Sequence, residues 1–375
     1  MIFVFGIISI IYIALISVFI IGFDKIEAFT LESYVDKITF SIIIPFRNEA
    51  ENLPDLLQSL SKLDYTKDLF EIIFVDDASE DNSVELLTNF KIKSSLFNIE
   101  IVTNQRMSNS PKKDAITTAI HIAKHKWIVT TDADCIVPIK WLKTLNSFIQ
   151  KHNPKMVVAP VTYHIKNTFF EYFQLLDFLS LQSVTIAGFG IKRPFLCNAA
   201  NLAYKKDLFI SLNGFNGNIK IASGDDIFLM EKAVKKYPKK VKYLKSKNAL
   251  VTTSPQVSIK DLIHQRLRWA AKTSSLDNTF GKGVGIIVLL MNILIIIVTL
   301  LTIIGTLRFE LMILIFSLKF FLDFALIHKS AHYFEQKLNF KFYSLSSLLY
   351  PVFCVYIAIY SMFFGFKWKG RSFNK

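Results

Sequence analysis

Cysteine is scarce in this 375-residue chain: Cys135, Cys197 and Cys354 stand too far apart for a zinc site or a disulfide framework. That usage suits a reducing compartment. The seven histidines have no metal-ligand spacing either, so each reads as surface or core. The amino end lacks the basic region and small-residue cleavage site of a signal peptide. Residues 1–23 are instead an uncharged apolar run long enough to cross a bilayer, which reads as an uncleaved anchor. Acidic residues are outnumbered, 30 against 44 Lys and Arg, for a net charge of +14. The lysines are scattered, which argues against a nucleic-acid partner and for anionic lipid headgroups with positive loops kept inside.

What the chain does have is apolar length, 52 % hydrophobic residues with Phe the commonest aromatic, concentrated at its two ends. Beyond the first segment, a carboxyl-terminal membrane region covers residues 283–366. Within it, residues 285–307 and 344–366 are long enough to span. Residues 311–327 are shorter and carry Lys319 and Asp323 one helical turn apart, where they could pair. Four crossings from a cytoplasmic block would put the basic tail, residues 367–375, outside. Making the Lys319/Asp323 segment re-entrant returns it to the cytoplasm. A further apolar stretch, residues 169–189, is broken by Glu171, Gln174, Asp177 and Gln182. It reads equally as an interfacial amphipathic helix or a buried core helix.

Between these ends lies a block of globular composition, residues 38–272, in which strand and helix patterns alternate. Apolar β-rich runs at residues 40–45, 70–75, 99–102 and 127–131 are separated by helical patterns at 51–63, 81–91 and 112–125. Leu53, Leu56, Leu57 and Leu60 mark one face of the first helix. Such βα units predict an α/β fold with a mostly parallel, doubly covered sheet, whose ligands bind beyond the carboxyl ends of the strands.

Two acidic clusters fall at those ends, Asp76-Asp77 after the second strand and Asp132-Ala133-Asp134 after the fourth. Carboxylates one residue apart can face one cation, and hard oxygen ligands suit Mg²⁺ or Mn²⁺ whose shell is completed by substrate phosphates. Alone, either cluster could merely cap a following helix. Two on sibling strands weaken that reading.

These residues resemble a known family. Ser41-Ile42-Ile43-Ile44-Pro45-Phe46-Arg47-Asn48-Glu49, Val75-Asp76-Asp77-Ala78-Ser79 and Thr131-Asp132-Ala133-Asp134 are similar to family-two glycosyltransferases of the GT-A (Rossmann-like) fold. Gly224-Asp225-Asp226 resembles the family's third acidic motif, and Gln265-Arg266-Leu267-Arg268-Trp269 fits its QxxRW signature. The order of motifs, over residues 40–272 between membrane segments, resembles the integral-membrane branch. Trp368-Lys369-Gly370-Arg371 resembles the W-x-GR tail of ceramide glucosyltransferase-like proteins, though an interfacial aromatic anchor reads as well.

The resemblance implies roles. Asp76 and Asp77 would contact the uridine of a nucleotide-sugar, in a donor site with Pro45, Asn48, Glu49 and Asp132. Asp132 and Asp134 would hold the metal against the diphosphate, and Asp226, beside Asp225, would be the catalytic base. Gln265, Arg268 and Trp269 would line the acceptor and diphosphate site. Lys112 and Lys113 sit where relatives carry a glycine–lysine pattern near the phosphates, here with Pro111 in place of glycine. Asn198-Ala199-Ala200-Asn201 corresponds to a small-residue acceptor loop, and reads equally as a solvated turn.

The chemistry is coherent on its own terms. A departing diphosphate needs fixed positive charge, and the attacking hydroxyl needs a carboxylate to take its proton. No second, nucleophilic carboxylate is marked, which implies single displacement with inversion. The reading is therefore a hexosyltransferase-type enzyme of the cell envelope. It is held in the inner or cell membrane with its catalytic domain in the cytoplasm. It moves a sugar from a nucleotide-sugar, taken as a UDP-sugar, to a membrane lipid or lipid-linked acceptor. The rivals are a processive polysaccharide synthase, for which the membrane segments are few unless a partner adds more, and a non-catalytic membrane scaffold retaining the fold. A transporter is weaker still, with one charged pair to define a pathway.

Overall fold

A computed structural model describes residues 2–32, 34–93, 98–273 and 277–373. They form two compact units, one of Glu27–His164 with Cys197–Ser254, the other of Met1–Ile26, Ile165–Leu196 and Pro255–Lys375. In chain order the helices are α1 (Ile2–Asp24), α2 (Leu53–Ser61), α3 (Ser83–Lys93), α4 (Pro111–Ile122), α5 (Trp141–His152), α6 (Phe169–Gly190), α7 (Lys206–Ser211), α8 (Ile227–Lys236), α9 (Ile259–Thr273), α10 (Thr279–Ile303), α11 (Phe309–Tyr333) and α12 (Phe340–Phe363). The strands are β1 (Phe40–Phe46), β2 (Phe70–Asp76), β3 (Asn98–Thr103), β4 (Trp127–Thr130), β5 (Cys135–Ile136), β6 (Met156–Val158), β7 (Val161–Tyr163), β8 (Leu202–Lys205), β9 (Val241–Tyr243), β10 (Val251–Thr253), β11 (Phe366–Trp368) and β12 (Arg371–Phe373).

The first unit is built on a seven-stranded sheet in the order β3-β2-β1-β4-β8-β6-β9. All neighbours are parallel except β8, which runs antiparallel to both β4 and β6. β1 and β2 are mostly apolar and buried on both sides, as strands covered on both faces must be, and the buried polar pair within them is closed by Ser41 Oγ donating to Glu71 Oε1 at 2.6 Å. Pairing of β1 with β4 stops at Ile43, two residues before Pro45, which has no N–H to give to a ladder. The leucines named above, Leu53, Leu56, Leu57 and Leu60, form the buried face of α2. The result is a mostly parallel sheet with helices, as the sequence predicts, with the carboxyl ends of β1, β2 and β4 on one edge.

The second unit is helical. α1, α10, α11 and α12 are each long and apolar enough to cross a membrane. The third segment is longer than the apolar run 311–327: α11 is one continuous helix of 25 residues. Lys319 is buried and its ammonium meets Asp323 at 2.5 Å, so the charges that interrupt the apolar run are closed on each other. The interfacial reading of residues 169–189 is corrected. No residue of α6 is exposed. Its polar residues turn to buried partners, Gln174 to the backbone of Gln256 and Asp177 to Arg266, where headgroup contact would need an exposed polar face. Near its end α6 touches α1 backbone to backbone. A Cβ on Gly190 would lie 1.8 Å from the carbonyl oxygen of Gly22, a contact that only small residues allow.

Candidate active site

The turns after β1 and β2 are tied together through the first site residues. Asn48 takes a left-handed conformation (φ 51°), its N–H donates to Ser79 Oγ, and its Oδ1 accepts from Glu80 N at 2.8 Å. Glu49 N donates to Ser83 Oγ at 2.8 Å, and Glu49 Oε2 accepts from Asn52. Asp76 Oδ1 accepts from Ser79 N, closing the turn at the end of β2. Asp77 is buried, and its Oδ1 accepts from Asn104 Nδ2 and Arg106 Nε, each at 2.7 Å. Asn104 and Arg106 were not read from the sequence. They follow the carboxyl end of β3, so the same strand-end rule could have found them.

A second cluster joins the other acidic motifs. Lys112, in the first turn of α4, has a side chain 14% exposed, with its ammonium 2.6 Å from Asp132 Oδ1 and 3.5 Å from Asp225 Oδ2. Burial alone would lower its pKa, but the charges of Asp132, Asp225 and Asp226 overcome that and hold it well above the usual lysine range. Lys113 points elsewhere. It is buried, donates to the carbonyls of Asn218 (2.7 Å) and Ile221 (2.8 Å), and lies 4.9 Å from the Phe228 ring. Adjacent helical residues diverge by about 100°, so one lysine reaches the acids and the other anchors the loop before Gly224.

Asp226 caps α8. Its Oδ1 accepts from Ile227 N at 2.7 Å and its Oδ2 from Ala199 N at 3.3 Å. Residues 198–201 are not a solvated turn: Ala199, Ala200 and Asn201 are buried, and Thr130 Oγ1 donates to the Ala199 carbonyl at 2.7 Å. A small-residue loop is thereby fixed against the proposed base.

Asp132 and Asp134 flank the turn after β4, both partly exposed. Among the described residues no group of three or more His, Cys, Asp and Glu side chains could hold a metal. Two hard carboxylates fit a Mg²⁺ or Mn²⁺ that takes its remaining oxygens from a diphosphate and water. Their chemistry fits no thiolate or imidazole metal.

The QxxRW residues lie on α9 in the helical unit. Gln265 Oε1 accepts from Arg266, whose Nε pairs with Asp177 at 2.6 Å and whose guanidinium stacks 4.2 Å from the Trp269 ring. Arg268 lies 5.2 Å from the ring of Trp368, in the β11–β12 hairpin. Lys367 N donates to His264 Nδ1 at 3.3 Å, so the W-x-GR tail is docked on α9.

A model of glycosyl transferase family group 2 matches residues 127–366, well over half of the chain, and one of glycosyl transferase family 2 matches residues 41–210. The chain belongs to the family-two glycosyltransferases. This glycosyltransferase is 28% identical over 119 residues to the poly(ribitol-phosphate) beta-N-acetylglucosaminyltransferase TarS of Staphylococcus aureus, covering 32% of the chain and 20% of the relative. It is 29% identical over 165 residues to the poly-beta-1,6-N-acetyl-D-glucosamine synthase of the same organism, 41% of the chain and 37% of the relative. The chain thus spans well under half the length of either relative. A mannosyltransferase from Pyrobaculum calidifontis, solved with GDP-Man and Mn2+, superimposes with a TM-score of 0.55 at 14% identity, over 96% of both chains. The GT-A fold is shared.

Gly224 of this glycosyltransferase sets the approach to Asp225 and Asp226. Its φ of +85° is costly for any side chain, and a Cβ there would lie 2.6 Å from the ring of buried Phe228, whose face Lys113 covers. Gly224→Ala should therefore destabilise by about 1–2 kcal/mol through the backbone and about 1–3 kcal/mol through overpacking. Thermal denaturation of the purified protein reads the loss; an unchanged melting temperature would show that the turn relaxes freely.

Proposed function

We propose that this chain transfers a sugar from a nucleotide-sugar to a membrane lipid or lipid-linked acceptor, with Asp226 as general base. One observation supports it above the others: Lys112 meets Asp132 and Asp225, so two acidic motifs remote in sequence converge on one cation. An ammonium fixed among carboxylates supplies positive charge where a leaving diphosphate gains negative charge. Asp77, held by Asn104 and Arg106, presents its carboxyl group to the nucleoside, with Asp76, Asn48 and Glu49 shaping the turns around it. Asp226 is positioned by two backbone N–H groups, and its carboxylate would take the proton of the attacking hydroxyl. A Mg²⁺ or Mn²⁺ at Asp132 and Asp134 would add charge neutralisation at the diphosphate when bound. Arg268, steadied by Trp368, would serve the diphosphate and acceptor with Gln265 and Trp269. The four apolar helices would hold the chain in the membrane with the sheet unit toward cytoplasmic nucleotide-sugars.

A second reading, chain extension of a polysaccharide, draws on the printed function of the synthase relative. Membranes carrying the protein, incubated with labelled nucleotide-sugars, separate the two. A single labelled product that partitions into organic solvent is expected. A water-soluble ladder of growing size would favour polymerisation, and no incorporation from any donor would overturn both.

A further inference from the structure

Within the helical unit, a cavity of about 110 Å³ opens between α1, α6, α10, α11 and α12. That is several times the ~10–15 Å³ that one water needs in the same measure. Its wall is apolar for much of its extent, with Ile16, Phe173, Leu176 and Val288, yet two ion pairs border it. Lys319 pairs with Asp323, which also accepts from the Tyr12 hydroxyl. Arg266 pairs with Asp177, which also accepts from the Tyr350 hydroxyl at 3.1 Å. Two acids and two bases cancel, and each acid is closed by a base and a phenol. An anionic headgroup would have to break a buried pair, which is costly.

The unmet hydrogen-bonding capacity in this wall is neutral. Asn292 is fully buried; its Nδ2 donates to the Val288 carbonyl, while its Oδ1 has no partner among the described residues. Ser346, 5% exposed, likewise has no partner for its hydroxyl among them. Native structures rarely leave such groups unsatisfied, so each marks a place for a ligand or ordered water. An acceptor and a hydroxyl on facing helices, beside apolar wall, ask for a group that both donates and accepts and that carries hydrocarbon. A hydroxyl does both.

We propose that this cavity binds the hydroxyl headgroup of a neutral lipid, its oxygen between Asn292 and Ser346 and its chains along the apolar wall. The proposal rests on the helical unit alone and not on the transfer reaction. The test uses the full chain in nanodiscs and native mass spectrometry, with dioctanoylglycerol as probe. Two competitors share its chains, one with the hydroxyl acetylated and one bearing a phosphate there. Saturable binding of dioctanoylglycerol is expected, with acetylation weakening it about tenfold, the worth of a lost hydrogen bond. Ser346→Val and the milder Ser346→Ala should each weaken it similarly, as should Asn292→Leu, in proteins whose melting temperature shows that they fold. Asp226→Asn should bind as well as the native protein, so failure of transfer and failure of this site are read separately. Equal binding of the acetylated lipid, or no effect of Ser346→Ala, would overturn the proposal and leave a water-filled cavity. Tighter binding of the phosphate would overturn its neutrality.

Discussion

Asp226→Asn should lower turnover by about 10²–10⁴-fold, the usual contribution of a general base, while donor affinity stays near its native value. The substitution is a clean one because asparagine is as good a helix cap as aspartate. Its amide oxygen can still accept from Ile227 N, so α8 keeps its start, while the longer contact to Ala199 is weakened. Asp225→Asn is the control. Its carboxylate lies toward Lys112, so its loss should weaken donor binding and cost turnover less. Initial rates and donor titrations on both variants decide the matter. A dead Asp225→Asn beside a near-native Asp226→Asn would reverse the roles, and two active variants would remove the base from this motif.

Excess chelator, or Asp134→Ala, should reduce transfer by about 10²-fold or more, since a divalent ion supplies several kcal/mol of charge stabilisation at a leaving group. Lys112 engages Asp132, so Asp134→Ala removes one proposed metal ligand while leaving that ion pair intact. Donor binding measured with and without Mn²⁺ should show a metal-dependent gain in the native protein and none in Asp134→Ala. Full transfer in chelator would mean that the lysine alone carries the positive charge.

The parallel half of the sheet was legible because β1 to β4 are largely apolar runs, two of which end in acidic turns. The antiparallel strand β8, with β6 and β9 beyond it, was not. They have three or four residues each, and their pairing is set by tertiary contact and not by local pattern. The acidic motifs could be assigned from order alone, but direction could not. Lys112 and Lys113 look alike in sequence, and only the helix turn sends one to the carboxylates and the other to the carbonyls of Asn218 and Ile221. The pairing of Lys319 with Asp323 was legible from their spacing, whereas the full length of α11, Phe309–Tyr333, was not, because the charges interrupt the apolar run that marks it.

The hairpin at the end of the chain bears on a question of parity. Trp368 and Lys367 touch Arg268 and His264 on α9, so the tail and α9 must share one face of any bilayer. Three helices, α10, α11 and α12, separate α9 from the hairpin. Three complete crossings would end on the far side, so an even number must be made. The opening rings of α12, Phe340 and Tyr343, pack on Phe320 and Phe324, halfway along α11 instead of at its end. In a membrane-held chain whose tail rests on α9, α12 would therefore be the helix that stops short of a full crossing.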